Sequence, residues 1–126
     1  MYTPYVTANE YMALGYEAIP AEQLNAFLKE SSRNIDSLTF NRIVKRGFEN
    51  LTEFQQEIIK EVVCRQANFL YENADAISSI LDSYSINGVR MVYGRGFNVK
   101  IENGLPIQSN VYSLLEQTGL CWRGAR

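Results

Sequence analysis

The chain has 126 residues, the length of one ordinary domain, and its 46% apolar and 21% charged residues are typical of folded globular proteins. Its net charge of −2 argues against a dedicated nucleic-acid binder, because such proteins are usually basic. No stretch approaches the roughly 18 apolar residues of a membrane span, and the first residues lack a secretory signal pattern. We therefore expect a single domain over residues 1–126, made in the cytoplasm and without a membrane partner.

Two helical stretches are predicted in the first third of the chain. Thr7 and Glu10 form a capping-box pattern ahead of a short helix that ends near Gly15. A second helix is predicted to begin at Ile19–Pro20, since proline suits the first helical position. Its apolar residues recur at helical spacing: Leu24, Phe27, Leu28, Ile35 and Leu38. A break near Ser37 would divide this stretch into two helices, and one continuous helix is the alternative.

The longest predicted helix follows the capping box of Thr52 and Gln55 and runs to about Asn73. Its apolar stripe is broad, which predicts contacts on more than one side. We expect six residues of these helices to pack together as the core: Leu24, Phe27, Phe54, Ile58, Val62 and Leu70.

Residues 83–105 have a different pattern, rich in residues that favour strands. Asn87–Gly88 is a strong hairpin signal. Phe97, Val99 and Ile101 alternate with polar residues, which predicts a further strand. We interpret this segment as a mobile β-rich loop or hairpin excursion from a helical body.

The last predicted helix begins at about residue 109 and ends at about Gln117. Gly119 suits the left-handed position after a helix, and Leu120 would then contact Leu115 to close a Schellman cap. The remaining residues form an extended C-terminal tail. The predicted fold is thus mainly α, a small helical bundle with a β-rich excursion and this tail.

No group of residues suggests catalysis, a metal or a cofactor. Histidine, the commonest general base, is absent, and Cys64 therefore has no histidine partner. The carboxylates of Glu53, Glu57, Asp75 and Asp82 occur where solvated helix faces or turn caps explain them. The spacing of the cysteines fits no zinc site. We expect a protein that is not an enzyme and has no cofactor.

Two groups of basic residues stand out. The first lies near the predicted C-terminus of a helix, where cations complement the helix dipole: Arg42, Lys45 and Arg46. The second lies on the β-rich excursion and consists of Arg90, Arg95 and Lys100. The second group is the candidate for loop contacts with a polyanion such as DNA, and a solvated hairpin is the alternative explanation.

The C-terminal tail is the candidate assembly interface. Trp122 could fold back onto the bundle or anchor in a pocket of a neighbouring protein. The candidate interface residues are Leu120, Trp122, Arg123 and Arg126.

From about Ile19 to Arg126, the order and spacing of several short phrases resemble the head–tail connector proteins of long-tailed bacteriophages, also called head-completion or adaptor proteins. The phrases are residues 35–43 (IDSLTFNRI), 51–57 (LTEFQQE), 70–73 (LYEN), 84–86 (YSI) and 114–120 (LLEQTGL).

The resemblance implies a virion protein at the head–tail junction, made in the host bacterial cytoplasm. Proteins of this family form a ring, commonly of about twelve copies, beneath the portal. The implied partners are the portal protein, a neck or tail-completion protein, other copies of the chain, and passing double-stranded DNA bound without sequence specificity. The ring would extend the DNA channel and provide the attachment surface for the tail.

Two other classes of function remain as alternatives. One is a small helical DNA-binding or regulatory protein that uses Arg42, Lys45 and Arg46. The other is a small enzyme that relies on carboxylates.

Overall fold

The computed structural model describes residues 2–74 and 105–121, and the backbone alone at residues 99–102. Helices dominate this part of the chain, so the predicted mainly α bundle is confirmed. They are α1 (Ala8–Ala13), α2 (Ala21–Leu38), α3 (Arg42–Arg46), α4 (Glu53–Glu72) and α5 (Ser109–Glu116), with a 3₁₀ turn at Phe48–Asn50 between α3 and α4. The extended tail was predicted to begin at Cys121, and this start is wrong because Cys121 is buried in the core. The rest of the predicted tail, residues 122–126, lies outside the described residues.

Both predicted capping boxes are confirmed. The Thr7 hydroxyl accepts a hydrogen bond from the Glu10 N–H at 3.1 Å, and the Glu10 carboxylate accepts one from the Thr7 N–H at 3.0 Å. Thr52 and Gln55 repeat this arrangement, with both bonds at 3.1 Å. Such caps stabilise a helix by about 1 kcal/mol each. Pro20 differs from its prediction, because it is the residue that precedes α2 and not its first helical residue.

The predicted break after Ser37 is confirmed, and a continuous helix is excluded. α2 ends at Leu38, and the two residues that follow Thr39 have left-handed backbone, with φ of 57° at Phe40 and 59° at Asn41. The chain leaves the helix direction there and resumes in α3.

The core surrounds α4, which contacts α1, α2, α5 and the short sheet. This confirms the contacts predicted from its broad apolar stripe. The fully buried side chains come from all the long elements and include Leu28, Ile35, Ile59, Val63, Ile107 and Leu115. Burying a side chain of this size stabilises the fold by about 1.5–3 kcal/mol.

The six predicted core residues divide into buried, half-buried and exposed. Leu24, Ile58 and Val62 are buried, as predicted. Phe27 packs against the core but is only half-buried, and Leu70 is also half-buried. The prediction for Phe54 is wrong, because its side chain is 54% exposed. Phe54 lies in the first turn of α4, and the buried apolar residue at this end of the helix is Leu51, which precedes it. An apolar stripe in the sequence does not reveal where the neighbouring helices end.

A two-stranded antiparallel sheet lies between α4 and α5 in the sequence. Its strands are β1 (Val99–Glu102) and β2 (Leu105–Gln108), paired with Val99 opposite Gln108. β1 confirms the predicted strand, whereas β2 was not predicted. The Asn87–Gly88 hairpin and most of the predicted excursion lie outside the described residues.

The end of α5 keeps half of the predicted Schellman cap. Gly119 is left-handed, with φ of 77°, and its N–H donates to the Glu116 carbonyl at 3.0 Å. The second bond of the motif is replaced by the Thr118 hydroxyl, which donates to the Leu115 carbonyl at 2.7 Å and accepts from the Leu120 N–H at 3.2 Å.

Candidate functional site

Exposed apolar side chains indicate where this protein could contact a partner. The large ones in the described part of the chain are Met12, Leu14, Phe40, Val44 and Phe54. Single exposed apolar residues are ordinary, but grouped ones mark interaction surfaces. Phe40 and Val44 lie in the turn before α3 and on α3, and both line one depression. Met12 and Leu14 lie at the end of α1, Phe54 lies in the first turn of α4, and Leu14 lines a second depression.

The first place is a depression of about 750 Å³ that we call the basic corner. Its lining residues are Tyr2, Arg33, Asp36, Ser37, Phe40, Asn41, Val44 and Lys45. Arg33 and Lys45 are exposed, and Asp36, the one carboxylate in the lining, is buried. The accessible charge of the corner is therefore positive.

Phe40 holds an unfavourable backbone conformation at the edge of this corner. A left-handed residue other than glycine costs roughly 1–2 kcal/mol, and asparagine tolerates this conformation better than an aromatic residue does. The turn is held by hydrogen bonds from the Asn41 N–H to the Asp36 carbonyl, at 2.8 Å, and from the Arg42 N–H to the Thr39 carbonyl, at 3.0 Å. The Phe40 side chain is nevertheless 41% exposed, so burial within this chain offsets only part of the cost. Such strain is concentrated at functional sites.

Arg42 ties this turn to the C-terminal part of the chain. Its Nη1 donates to the Leu120 carbonyl at 2.8 Å, and its guanidinium carbon lies 5.0 Å from the centre of the Phe40 ring. Arg42 is the first residue of α3, so its predicted role at a helix C-terminus is wrong. Lys45 and Arg46 do lie in the last turn of α3, as predicted.

A buried carboxylate forms the floor of the basic corner. Asp36 accepts hydrogen bonds from the Tyr2 hydroxyl at 2.7 Å and from the Tyr5 hydroxyl at 2.5 Å. The Arg33 guanidinium carbon lies 4.2 Å from the centre of the Tyr2 ring. Burial, and next the hydrogen bond to Asp36, raise the pKa of both tyrosine hydroxyls above their ordinary value. The contacts fix the N-terminal segment against α2, so Asp36 has a structural role.

The second place, which we call the acidic face, is a depression of about 430 Å³ between the end of α1 and α4. Its lining residues are Leu14, Tyr16, Glu57, Lys60 and Glu61. Leu14 is 54% exposed. Glu53 and Phe54 lie one helical turn before Glu57, and they extend the exposed acidic and apolar surface along α4.

The cations near the acidic face are already paired. Lys60 Nζ lies 2.6 Å from a Glu10 carboxylate oxygen, and Arg65 forms an ion pair with Glu61 at 2.8 Å. The hydrogen bond from Lys60 lowers the pKa of the Glu10 carboxyl. Glu57 is exposed and has no ion-pair partner among the described side chains, so the accessible charge of this face is negative.

The structure removes Leu120 from the predicted assembly interface. Its side chain is only 2% exposed and belongs to the core, because the left-handed turn at Gly119 directs the chain back onto the bundle. The backbone of Lys100 lies in β1. The other predicted site residues lie outside the described part of the chain: Trp122, Arg123, Arg126, Arg90 and Arg95.

Sequence reasoning missed both faces. In the sequence, Phe40 and Val44 continue the apolar helical pattern, which by itself does not mark them as exposed. The available signal was Asn41, since asparagine is the residue other than glycine that most readily adopts left-handed backbone. A turn at Asn41 implies that apolar residues beside it are free to face solvent.

In residues 2–74, 99–102 and 105–121, no group of three or more His, Cys, Asp or Glu side chains could hold a metal ion. Within the same ranges, no helix is both long and apolar enough to cross a membrane. Cys64 is fully buried, and burial raises the pKa of its thiol to about 12, which makes it unreactive.

No family model matches the chain, and comparisons with curated proteins and with solved structures found no similar protein.

Proposed function

We propose that this protein is a structural virion subunit, a head–tail connector that forms a ring beneath the portal of a long-tailed bacteriophage. The ring extends the DNA channel and provides the attachment surface for the tail. The resemblance of the sequence phrases to that family supports the proposal. The structural observation that supports it is that one small subunit has two surfaces with exposed apolar residues, of which one carries positive and the other negative accessible charge.

Two different faces are what a ring subunit requires. A cyclic ring is closed by head-to-tail contacts, in which each copy uses one surface toward the preceding copy and another toward the next. The basic corner and the acidic face share no lining residue, so one copy can use both at the same time. The net charge of −2 also suits a conduit, because a strongly basic lining would retain the DNA that passes through it.

The tail residues Trp122, Arg123 and Arg126 are proposed to contact a neighbouring protein, either an adjacent ring subunit or the portal. Cys121, the residue before this tail, is 6% exposed and belongs to the core, so its removal would disturb the fold. A deletion should therefore begin at residue 122 and not at 121.

The experiment is complementation of a connector-null phage with the chain that lacks residues 122–126. We expect unchanged helical content by circular dichroism, together with particles that leak DNA or do not accept tails. The full-length chain is the positive control. Failure of the full-length chain to complement any connector-null phage whose portal it binds would contradict the proposed function, and normal plaque yield from the deletion would contradict the role of the tail.

A second candidate function is DNA binding by the basic corner, where exposed Arg33 and Lys45 flank an exposed aromatic ring. Phosphate contacts of this kind weaken as salt rises. Retention of the chain on double-stranded DNA at low salt, lost on reversing the charges of Arg33 and Lys45, would support this candidate. Absence of retention at low salt would exclude it.

A further inference from the structure

We propose that the basic corner of one copy binds the acidic face of the next copy, and that this contact is the repeating head-to-tail interface of the assembly. The inference rests on the proposed ring function and names the surfaces that form it. Three features of the described residues carry it: opposite charge, matching apolar content and an exposed aromatic side chain on a backbone turn that is already formed.

The charges of the two faces are complementary. The basic corner presents Arg33 and Lys45, both exposed and without an ion-pair partner among the described side chains. The acidic face presents Glu57 beside Lys60 and Glu61, which already have partners within the chain. Complementary potentials guide two surfaces together and fix their register. Two copies that met through the same face would instead place like charges opposite each other.

The apolar parts of the faces also correspond. Phe40 and Val44, which are 41% and 57% exposed, lie at the basic corner. Leu14, 54% exposed, and Tyr16 line the depression of the acidic face. An aromatic anchor that enters a pocket at the centre of a contact, with charged residues around it, is the common arrangement of interface hot spots.

Phe40 is held ready for such a contact. The left-handed turn and its hydrogen bonds fix the backbone at Phe40, and the Arg42 guanidinium carbon lies 5.0 Å from the centre of the ring in the single copy. A side chain that is already ordered loses little entropy on binding, so its burial contributes more to affinity. The strained turn does not stabilise the isolated chain, and its function in this proposal is to present Phe40 to the next copy.

A nucleic acid is the less favoured occupant of the basic corner. Phosphate binding requires cations, but it gives no reason for two adjacent exposed apolar side chains at Phe40 and Val44. A second copy of the chain supplies both an apolar depression and carboxylates.

The experiment is sedimentation of the full-length chain up to about 1 mM, a concentration at which weak contacts of about 4 kcal/mol are populated. We expect association that grows with concentration and weakens near 1 M salt, where the Debye length is about 3 Å. Lys45→Glu and Glu57→Lys should each weaken association at least tenfold, that is by about 1.4 kcal/mol. The double variant K45E/E57K should regain most of it, because the exchanged charges again attract each other.

Matched controls are Arg46→Glu, one residue from Lys45 but outside the depression, and Glu116→Lys at an exposed position at the end of α5. Both should associate like the original chain. All changed residues are exposed or at a helix surface, and circular dichroism checks that each variant folds. Lys45→Gln serves as a milder second variant if the reversal disturbs α3.

Three results would overturn the inference: a monomer at every concentration at low salt, equal loss with Lys45→Glu and Arg46→Glu, or no recovery in the double variant. Retention on double-stranded DNA at low salt that is lost with Lys45→Glu and kept with Arg46→Glu would identify DNA as the occupant. Failure of this interface can be distinguished from failure of the connector function. A chain that complements a connector-null phage but stays monomeric refutes only this interface. A chain that associates as described but complements no phage refutes only the connector function.

Discussion

Ile35 and Phe40 are large apolar residues five positions apart, and they behave in opposite ways. Ile35 is fully buried in the hydrophobic core, with regular helical backbone. Phe40 is 41% exposed on the basic corner, with left-handed backbone. In the core, burial stabilises the chain by itself. In the corner, an aromatic ring stays partly in solvent on an unfavourable backbone conformation. The difference indicates that the core residue serves folding, whereas the corner has features expected of a contact surface.

The largest expected effect is on stability, and it tests the hydrophobic core. Ile59→Ala should lower the free energy of unfolding by about 2–5 kcal/mol, because Ile59 is fully buried beneath its neighbours and truncation leaves a cavity. Urea denaturation followed by circular dichroism measures the change. Phe54→Ala on the same helix is the control, and it should change stability by no more than about 0.5 kcal/mol because Phe54 is exposed. Equal losses for the two variants would show that the assignment of Phe54 to the surface is wrong.

The next effect tests the backbone of the corner. Asn41→Val should destabilise the chain by about 1–2 kcal/mol, because a β-branched residue is strained at the φ of 59° observed there. Asn41→Gly should be neutral or stabilise by up to about 1 kcal/mol, since glycine adopts this conformation without strain. Thermal and urea unfolding of both variants provide the measurement. If valine were tolerated as well as glycine, the turn would not be held in left-handed backbone.

The smallest expected effect is a dependence on alkaline pH. The pKa values of the Tyr2 and Tyr5 hydroxyls are raised in the folded chain by burial and by Asp36, so above about pH 10 the unfolded chain binds fewer protons than the folded one. This stabilisation is complete below the ordinary tyrosine pKa and is lost as pH rises above it. Both side chains are half-exposed, so solvent screening keeps the effect small.

The measurement is the free energy of unfolding between about pH 9 and pH 11, around the ordinary tyrosine pKa. The double variant Tyr2→Phe/Tyr5→Phe should fall less steeply with pH than the original chain. Asp36→Asn should be intermediate, because it removes the hydrogen-bonding carboxylate but leaves the burial. An unchanged slope in the double variant would mean that the N-terminal segment is not held against α2 in solution.

Much of the local structure was predictable from the sequence, because its signals are local. Thr7 and Thr52 mark helix starts through bonds to residues three positions away, and Gly119 marks a helix end through its own backbone freedom. β2 was missed although Asn103 and Gly104, between the two strands in sequence, repeat the hairpin signal recognised at Asn87–Gly88. The sequence therefore contains a local signal for the turn between β1 and β2.

The rest required the tertiary structure, because it depends on which elements lie next to each other. The apolar character of Phe54 and Leu120 was evident in the sequence, but the neighbours of each residue decided that Phe54 is exposed and Leu120 is buried. The acidic face combines Leu14 of the chain after α1 with Glu57 of α4, more than forty positions apart in the sequence. By itself, the sequence determined the helices, their caps and the overall helical class, since each follows from hydrogen bonds and periodicity within a few residues. Only the packing of the helices decided which apolar side chains stay in solvent and which charges surround them, since solvent exposure is a property of the neighbours that a side chain acquires on folding.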